Sequence, residues 1–130
     1  MTTQKTMLYL TILVVAVFAT EVNSLWGSDN NGNKSHNLIV GFRMPGDRLV
    51  LRQNVIKNSA WMRIVVEEKT FNTSMYDRIT SVQALDQKTN GNGAYASLTA
   101  GGPGYSSVSL RFKSQRSHGI NFVVELYARN

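Results

Sequence analysis

Between residues 38 and 127 successive runs place apolar side chains at every second position, and that period commits most of the chain to β-structure. Leu38, Val40 and Phe42 alternate with Ile39, Gly41 and Arg43. Leu49, Leu51, Gln53 and Val55 alternate with Arg48, Val50, Arg52 and Asn54. Met62, Ile64 and Val66 alternate with Arg63, Val65 and Glu67, which predicts a third strand over 62–67. In the run 76–86 the apolar phase slips between Ile79 and Val82, as an inserted β-bulge residue would make it do. The clearest strand places Val108, Leu110 and Phe112 on one side and Ser109, Arg111 and Lys113 on the other. The last places Ile120, Phe122, Val124 and Leu126 on one side, with Asn121, Glu125 and Tyr127 opposite.

Turn chemistry falls between these runs. Pro45-Gly46-Asp47 presets one φ and accepts a positive one. Asn90-Gly91 predicts a hairpin, because both residues tolerate positive φ. The GGPG stretch at 101–104 continues neither a strand nor a helix, and 114–119 reads as a polar turn. Short connections require antiparallel pairing, since parallel crossovers need about a dozen residues. The fold expected is all-β: a compact antiparallel sandwich of about seven strands with a filled core.

The N-terminus follows different rules. Lys5 precedes residues 7–19, MLYLTILVVAVFA, which carry no charge; Thr20, Glu21 and Asn23 then restore polarity. A spanning helix needs about 20 apolar residues, so this run is short for a membrane anchor. A basic start, a short apolar core and small residues after it are the layout of a secretory signal peptide. Val22-Asn23-Ser24 favours cleavage after Ser24, with Ala19 as a second candidate. The expected organisation is a signal peptide over 1–24, a flexible polar arm over 25–37 and one β domain over 38–130. The mature protein is then secreted and extracellular. It has no Cys, so packing must stabilise it without disulfides. No later apolar run has membrane length, so no stable membrane insertion of the mature chain is expected.

The search for reaction chemistry finds none. His36 and His118 lie in separate polar loops, and no HExxH occurs. Asp29, Asn31 and Asn33 begin a calcium-loop pattern, but Lys34 stands where Gly is needed and Val40 where Glu is needed. Gly104-Tyr105-Ser106-Ser107-Val108 fails as a nucleophile elbow at its second glycine. Glu67 and Glu68 are adjacent on an expected strand and point to opposite sides, so they cannot flank one bond. Gly91-x-Gly93-x-x-Ala96 resembles a dinucleotide loop, but no helix N-terminus follows to receive a phosphate. No catalytic residue, metal ligand or cofactor is assigned, and the protein is expected not to be an enzyme.

The positive charge, +6 over the whole chain, is the remaining functional signal. Arg48 and Arg52 fall on one side of one strand, Arg111 and Lys113 on one side of another, with Arg116 just beyond. If those strands are neighbours, they make a basic face suited to an anionic partner. The charge is moderate and lacks an aromatic-interleaved stripe, so no specific nucleic acid is expected. The partners considered are an extracellular protein or an anionic glycan. Asn33-Lys34-Ser35 and Asn72-Thr73-Ser74 are sequons, so Asn33 and Asn72 are glycosylation candidates in a secreted chain.

Three blocks carry a resemblance. They are VQALDQKTNGNGA at 82–94, GGPG at 101–104 and LRFKSQRSHGINF at 110–122. They resemble the insect family named after multiprotein bridging factor two, whose members are also labelled probable salivary secreted peptides. Gly46-Asp47-Arg48 and Val50 fit an earlier, weaker part of the pattern. The resemblance implies a transcriptional co-activator that bridges a DNA-bound factor to the basal machinery, or a secreted protein of saliva or haemolymph. It supplies no catalytic or ligand residues. The N-terminal reading favours the secreted, non-enzymatic protein that binds an extracellular partner.

Overall fold

The computed structural model describes residues 32–130, so the signal-peptide reading and the first part of the polar arm lie outside the described residues. Seven strands follow in order: β1 (Leu38–Gly41), β2 (Arg48–Lys57), β3 (Val66–Asn72), β4 (Arg78–Asp86), β5 (Tyr95–Gly101), β6 (Ser107–Lys113) and β7 (Ile120–Arg129). One sheet has the order β1-β4-β7-β2 and the other β3-β6-β5. Every pairing is antiparallel. The fold is therefore the two-sheet all-β sandwich that the alternation predicts.

The core is the set of inward positions that the period singles out. Val108, Leu110 and Phe112 of β6 meet Ile120, Phe122, Val124 and Leu126 of β7, all buried. The Phe112 and Phe122 rings lie 5.1 Å apart at 56°, a tilted contact that joins one sheet to the other. Burying one such ring stabilises the fold by about 2–3 kcal/mol.

Two bulges set the register. β4 shifts between Ile79 and Ser81 against β7, where the apolar phase slips in the sequence. β2 shifts between Leu49 and Leu51, a slip that three consecutive apolar residues hide from the eye. The second bulge reverses the faces of everything before it. Arg48 pairs with Ala128 on the core side, whereas Arg52 pairs with Glu125 on the outer side.

The third strand begins at Val66, not at Met62. Residues 58–65 form a connection closed by an Arg63 N–H to Ala60 carbonyl bond of 3.0 Å, and Met62 adopts a positive φ of 61°. The inner side of β3 then carries Glu67 and Lys69 ahead of Phe71. Glu67 receives Lys57 of β2 at 3.4 Å and Lys69 at 3.5 Å. Inward-pointing charges at the rim of two edge strands oppose edge-to-edge association.

Asn90-Gly91 does not close a hairpin. β4 and β5 belong to different sheets, so the loop at 87–94 crosses between layers; Gly91 still uses its expected positive φ, 88°. GGPG does close a hairpin, between β5 and β6. The β1–β2 link passes over the ends of β4 and β7 and is fixed by Asp47, whose carboxylate accepts Met44 N–H at 2.6 Å, Arg43 Nε at 2.8 Å and Thr80 Oγ1 at 2.9 Å. Desolvation opposes ionisation there, but these donors outweigh it and hold Asp47 below its ordinary 3.8.

Residues 34–37, assigned to the flexible arm on sequence grounds, are tied to the domain. Lys34 N–H donates to the Thr89 carbonyl at 2.9 Å, and Asn37 Oδ1 accepts the Asp86 N–H at 2.8 Å. The buried Asp86 carboxylate accepts His36 N–H at 2.9 Å and Lys88 N–H at 3.0 Å. The His36 ring stacks on Tyr95 with centroids 4.2 Å apart. Asp86→Ala leaves two donors without their acceptor and is expected to cost about 2 kcal/mol. Urea denaturation measures this, and amide exchange at His36 and Lys88 should accelerate with it; a variant as stable as the parent would contradict the assigned role.

Candidate functional site

The basic residues singled out by the sequence do not form one face. β2 and β6 lie in different sheets and share no ladder, and the β2 bulge separates Arg48 from Arg52. Arg48 Nη2 donates to both oxygens of the buried Asp77, at 3.0 and 3.1 Å. Arg52 meets Glu125 at 3.3 Å and Arg111 meets Glu68 at 3.4 Å. These three cations are neutralised where they stand. Lys113 has no carboxylate within ion-pair distance among the described residues, and Arg116 Nη1 donates to the Met62 carbonyl at 2.8 Å. Those two sit at one end of the sandwich, where different residues complete the arrangement.

That end gathers the connections β2–β3, β4–β5 and β6–β7. Between them lies a cleft of about 230 Å³, lined by residues 56–59, Lys88 and residues 117–121. Among the described residues its charged and titratable groups are Lys57, Lys88 and His118, with no carboxylate in the lining. Asn58 and Asn121 add amides, and Ser59 and Ser117 add hydroxyls. Lys57 closes β2 and is steadied by the Val66 carbonyl at 3.2 Å as well as by Glu67. Lys88 is positioned by its own N–H on Asp86. Gly119 permits the close approach of the chain beyond β2, since a Cβ there would run into the Lys57 carbonyl oxygen.

The surplus charge extends beyond the cleft. Lys34, Lys57, Arg63, Lys88, Lys113 and Arg116 all belong to this end by strand order and connection. Among the described residues the carboxylates there are the buried Asp86, the rim residue Glu67 and the exposed Glu68, which meets Arg111. At the opposite end Asp47 and Asp77 pair with Arg43 and Arg48. The cleft can therefore receive an oxyanion through ammonium, amide and hydroxyl donors at low electrostatic cost. Its arrangement offers no paired acid and base and no activated nucleophile. Among the described residues no group of three or more His, Cys, Asp or Glu side chains could hold a metal ion.

Sequence reasoning weighed His118 only for reaction chemistry and did not single out Lys57 or Lys88, because the end of β2 and two separate loops supply the three. Both sequon asparagines are exposed: Asn33 precedes the tied-down segment, and Asn72 is the last residue of β3.

A family model described as "Transcription activator MBF2" matches residues 40–128. A Bombus ignitus protein named "Probable salivary secreted peptide" is 65% identical over 130 residues, a match covering 97% of each chain. No solved structure matches the chain. The matched span holds all three connections that line the cleft, and with this coverage the chain belongs to the MBF2 family.

Proposed function

We propose that this protein is secreted and acts without catalysis, by binding an extracellular partner that presents a sulfate, phosphate or carboxylate group. The observation that carries the reading is the cleft, which Lys57, Lys88 and His118 line and where the nearby carboxylate, Glu67, meets Lys57 from outside the lining. Secretion is supported by the N-terminal sequence and by the name of the Bombus ignitus relative. The test begins with the full chain, tagged at its C-terminus, expressed in insect cells. Medium should contain a product that begins at Leu25; a chain retained in cells and beginning at Met1 contradicts secretion. Titration of that product with a short heparin oligosaccharide should show saturable binding that weakens as salt is raised. Lys57→Ala with Lys88→Ala should weaken it about tenfold or more, taking each lost charge-assisted contact at about 1 kcal/mol. Equal affinity in parent and double variant would remove the cleft as the site.

The family description supports a second reading, a transcriptional co-activator. A tagged chain excluded from nuclei under all conditions would remove it.

A further inference from the structure

Next to the cleft, the connection at 58–65 exposes apolar side chains. Trp61 is 85% exposed, Met62 54% and Ile64 40%. A surface Trp usually packs its ring on something, but this one is held away from the body of the fold. The backbone that carries it is fixed. Met62 N–H donates to Ser117 Oγ at 2.8 Å, the Met62 carbonyl accepts Arg116 Nη1 at 2.8 Å, and Ser117 N–H donates to the Arg63 carbonyl at 2.8 Å. Met62 and Ser117 both adopt positive φ, 61° and 66°. Two non-glycine residues in that region cost about 1–3 kcal/mol each and are kept only where the surroundings enforce them. The loop is thus built to present its tip rather than to collapse it.

Cations outnumber carboxylates around the tip. Arg63 lies within the loop, Arg116 braces it, and Lys57, Lys88 and Lys113 stand on the same end of the sandwich. Among the described residues none of these but Lys57 has a carboxylate within ion-pair distance. An exposed aromatic ring beside exposed aliphatic side chains, on an end of the sandwich rich in cations, has the composition of a surface that sits at a lipid–water boundary. Trp prefers the headgroup level, and cations gain from anionic headgroups. A sulfated glycan would satisfy the cations, but it would leave Met62 and Ile64 in water with nothing to bury them.

We infer that this end of the sandwich docks on a bilayer surface bearing anionic phospholipids, with Trp61, Met62 and Ile64 dipping into the headgroup layer and the cleft taking a headgroup phosphate or carboxylate. The inference rests on the anionic-ligand reading above and names its source. The association is peripheral: no helix among the described residues is long and apolar enough to cross a membrane.

The experiment compares the full secreted chain on vesicles of phosphatidylcholine alone and of phosphatidylcholine mixed with phosphatidylserine. Flotation should recover the protein with the mixed vesicles and leave it behind with the neutral ones. Trp61→Ala should weaken vesicle binding about tenfold, as expected for removing one interfacial ring. It should leave heparin-oligosaccharide affinity unchanged. Arg63→Ala should weaken vesicle binding about fivefold, the share of one cation at an anionic surface. In a Trp26→Phe background, emission from Trp61 should shift to the blue on the mixed vesicles only. Oligosaccharide binding without vesicle binding overturns the membrane docking and leaves the cleft reading standing. Loss of both ligands overturns both. Vesicle binding that Trp61→Ala does not change overturns the role of the loop. Because Trp61 is so exposed, its replacement is not expected to disturb folding, and an unchanged urea midpoint checks this.

Discussion

Phe122→Ala is expected to destabilise the domain by about 3–5 kcal/mol, the usual cost of deleting a fully buried aromatic ring. Phe122 is fully buried, lies between Val55 of β2 and Asp86 of β4 in the ladder, and meets Phe112 of the opposite sheet at 5.1 Å. The chain has no Cys, so no covalent link holds the layers together when that contact goes. A domain of this size has about 5–15 kcal/mol in all, so the variant should be close to unfolding at body temperature. Urea denaturation should show a lower midpoint with an unchanged slope. Phe122→Leu, which keeps most of the volume, should lose about 1–1.5 kcal/mol. A loss below about 1 kcal/mol for the alanine variant would mean that the sheets are not packed through this pair.

Gly93→Ala should cost about 3 kcal/mol, for a steric reason rather than a conformational one. A Cβ at position 93 would fall on the Asp86 carboxylate, and Gly93 is itself buried. Asp86 would have to abandon the His36 and Lys88 amides. The Gly93 carbonyl, which receives Gln115 Nε2 at 3.1 Å and lies 3.2 Å from His36 Nδ1, would shift as well. The damage is not additive with loss of its partner. Placing Asp86→Ala in the Gly93→Ala background removes the obstacle, so the double variant should be more stable than the sum of the two losses predicts. Strict additivity in the double-mutant cycle would show that the two positions do not collide.

Much of this fold is legible in the alternation because most strands bury one side only. β4, β6 and β7 lie over the core, and their inward residues follow the period, down to the slip at Ile79 that marks a bulge. The pattern fails where burial fails. β3 is an edge strand whose inner side reaches the rim, so Glu67 and Lys69 occupy positions that an alternation rule assigns to apolar residues. The alternation therefore starts the strand four residues too early, in a segment where Met62 and Ile64 are exposed and Val65 packs on the core. Leu49-Val50-Leu51 conceals the bulge of β2, and with it the separation of Arg48 from Arg52. Asn90-Gly91 marks a turn correctly, but local chemistry does not say whether a turn joins neighbours in one sheet or crosses between two. The cleft was not legible at all. Lys57, Lys88 and His118 are far apart in sequence, and only the topology brings the end of β2 and the two loops together.

Backbone amide mapping by NMR, with the secreted chain titrated by a heparin oligosaccharide, tests the cleft most directly. The account predicts shifts concentrated at residues 57–59, at Lys88 and over 117–121, with Arg48, Arg52 and Arg111 quiet because none of them lines the cleft. Shifts centred on those three arginines, with the cleft unmoved, would contradict it.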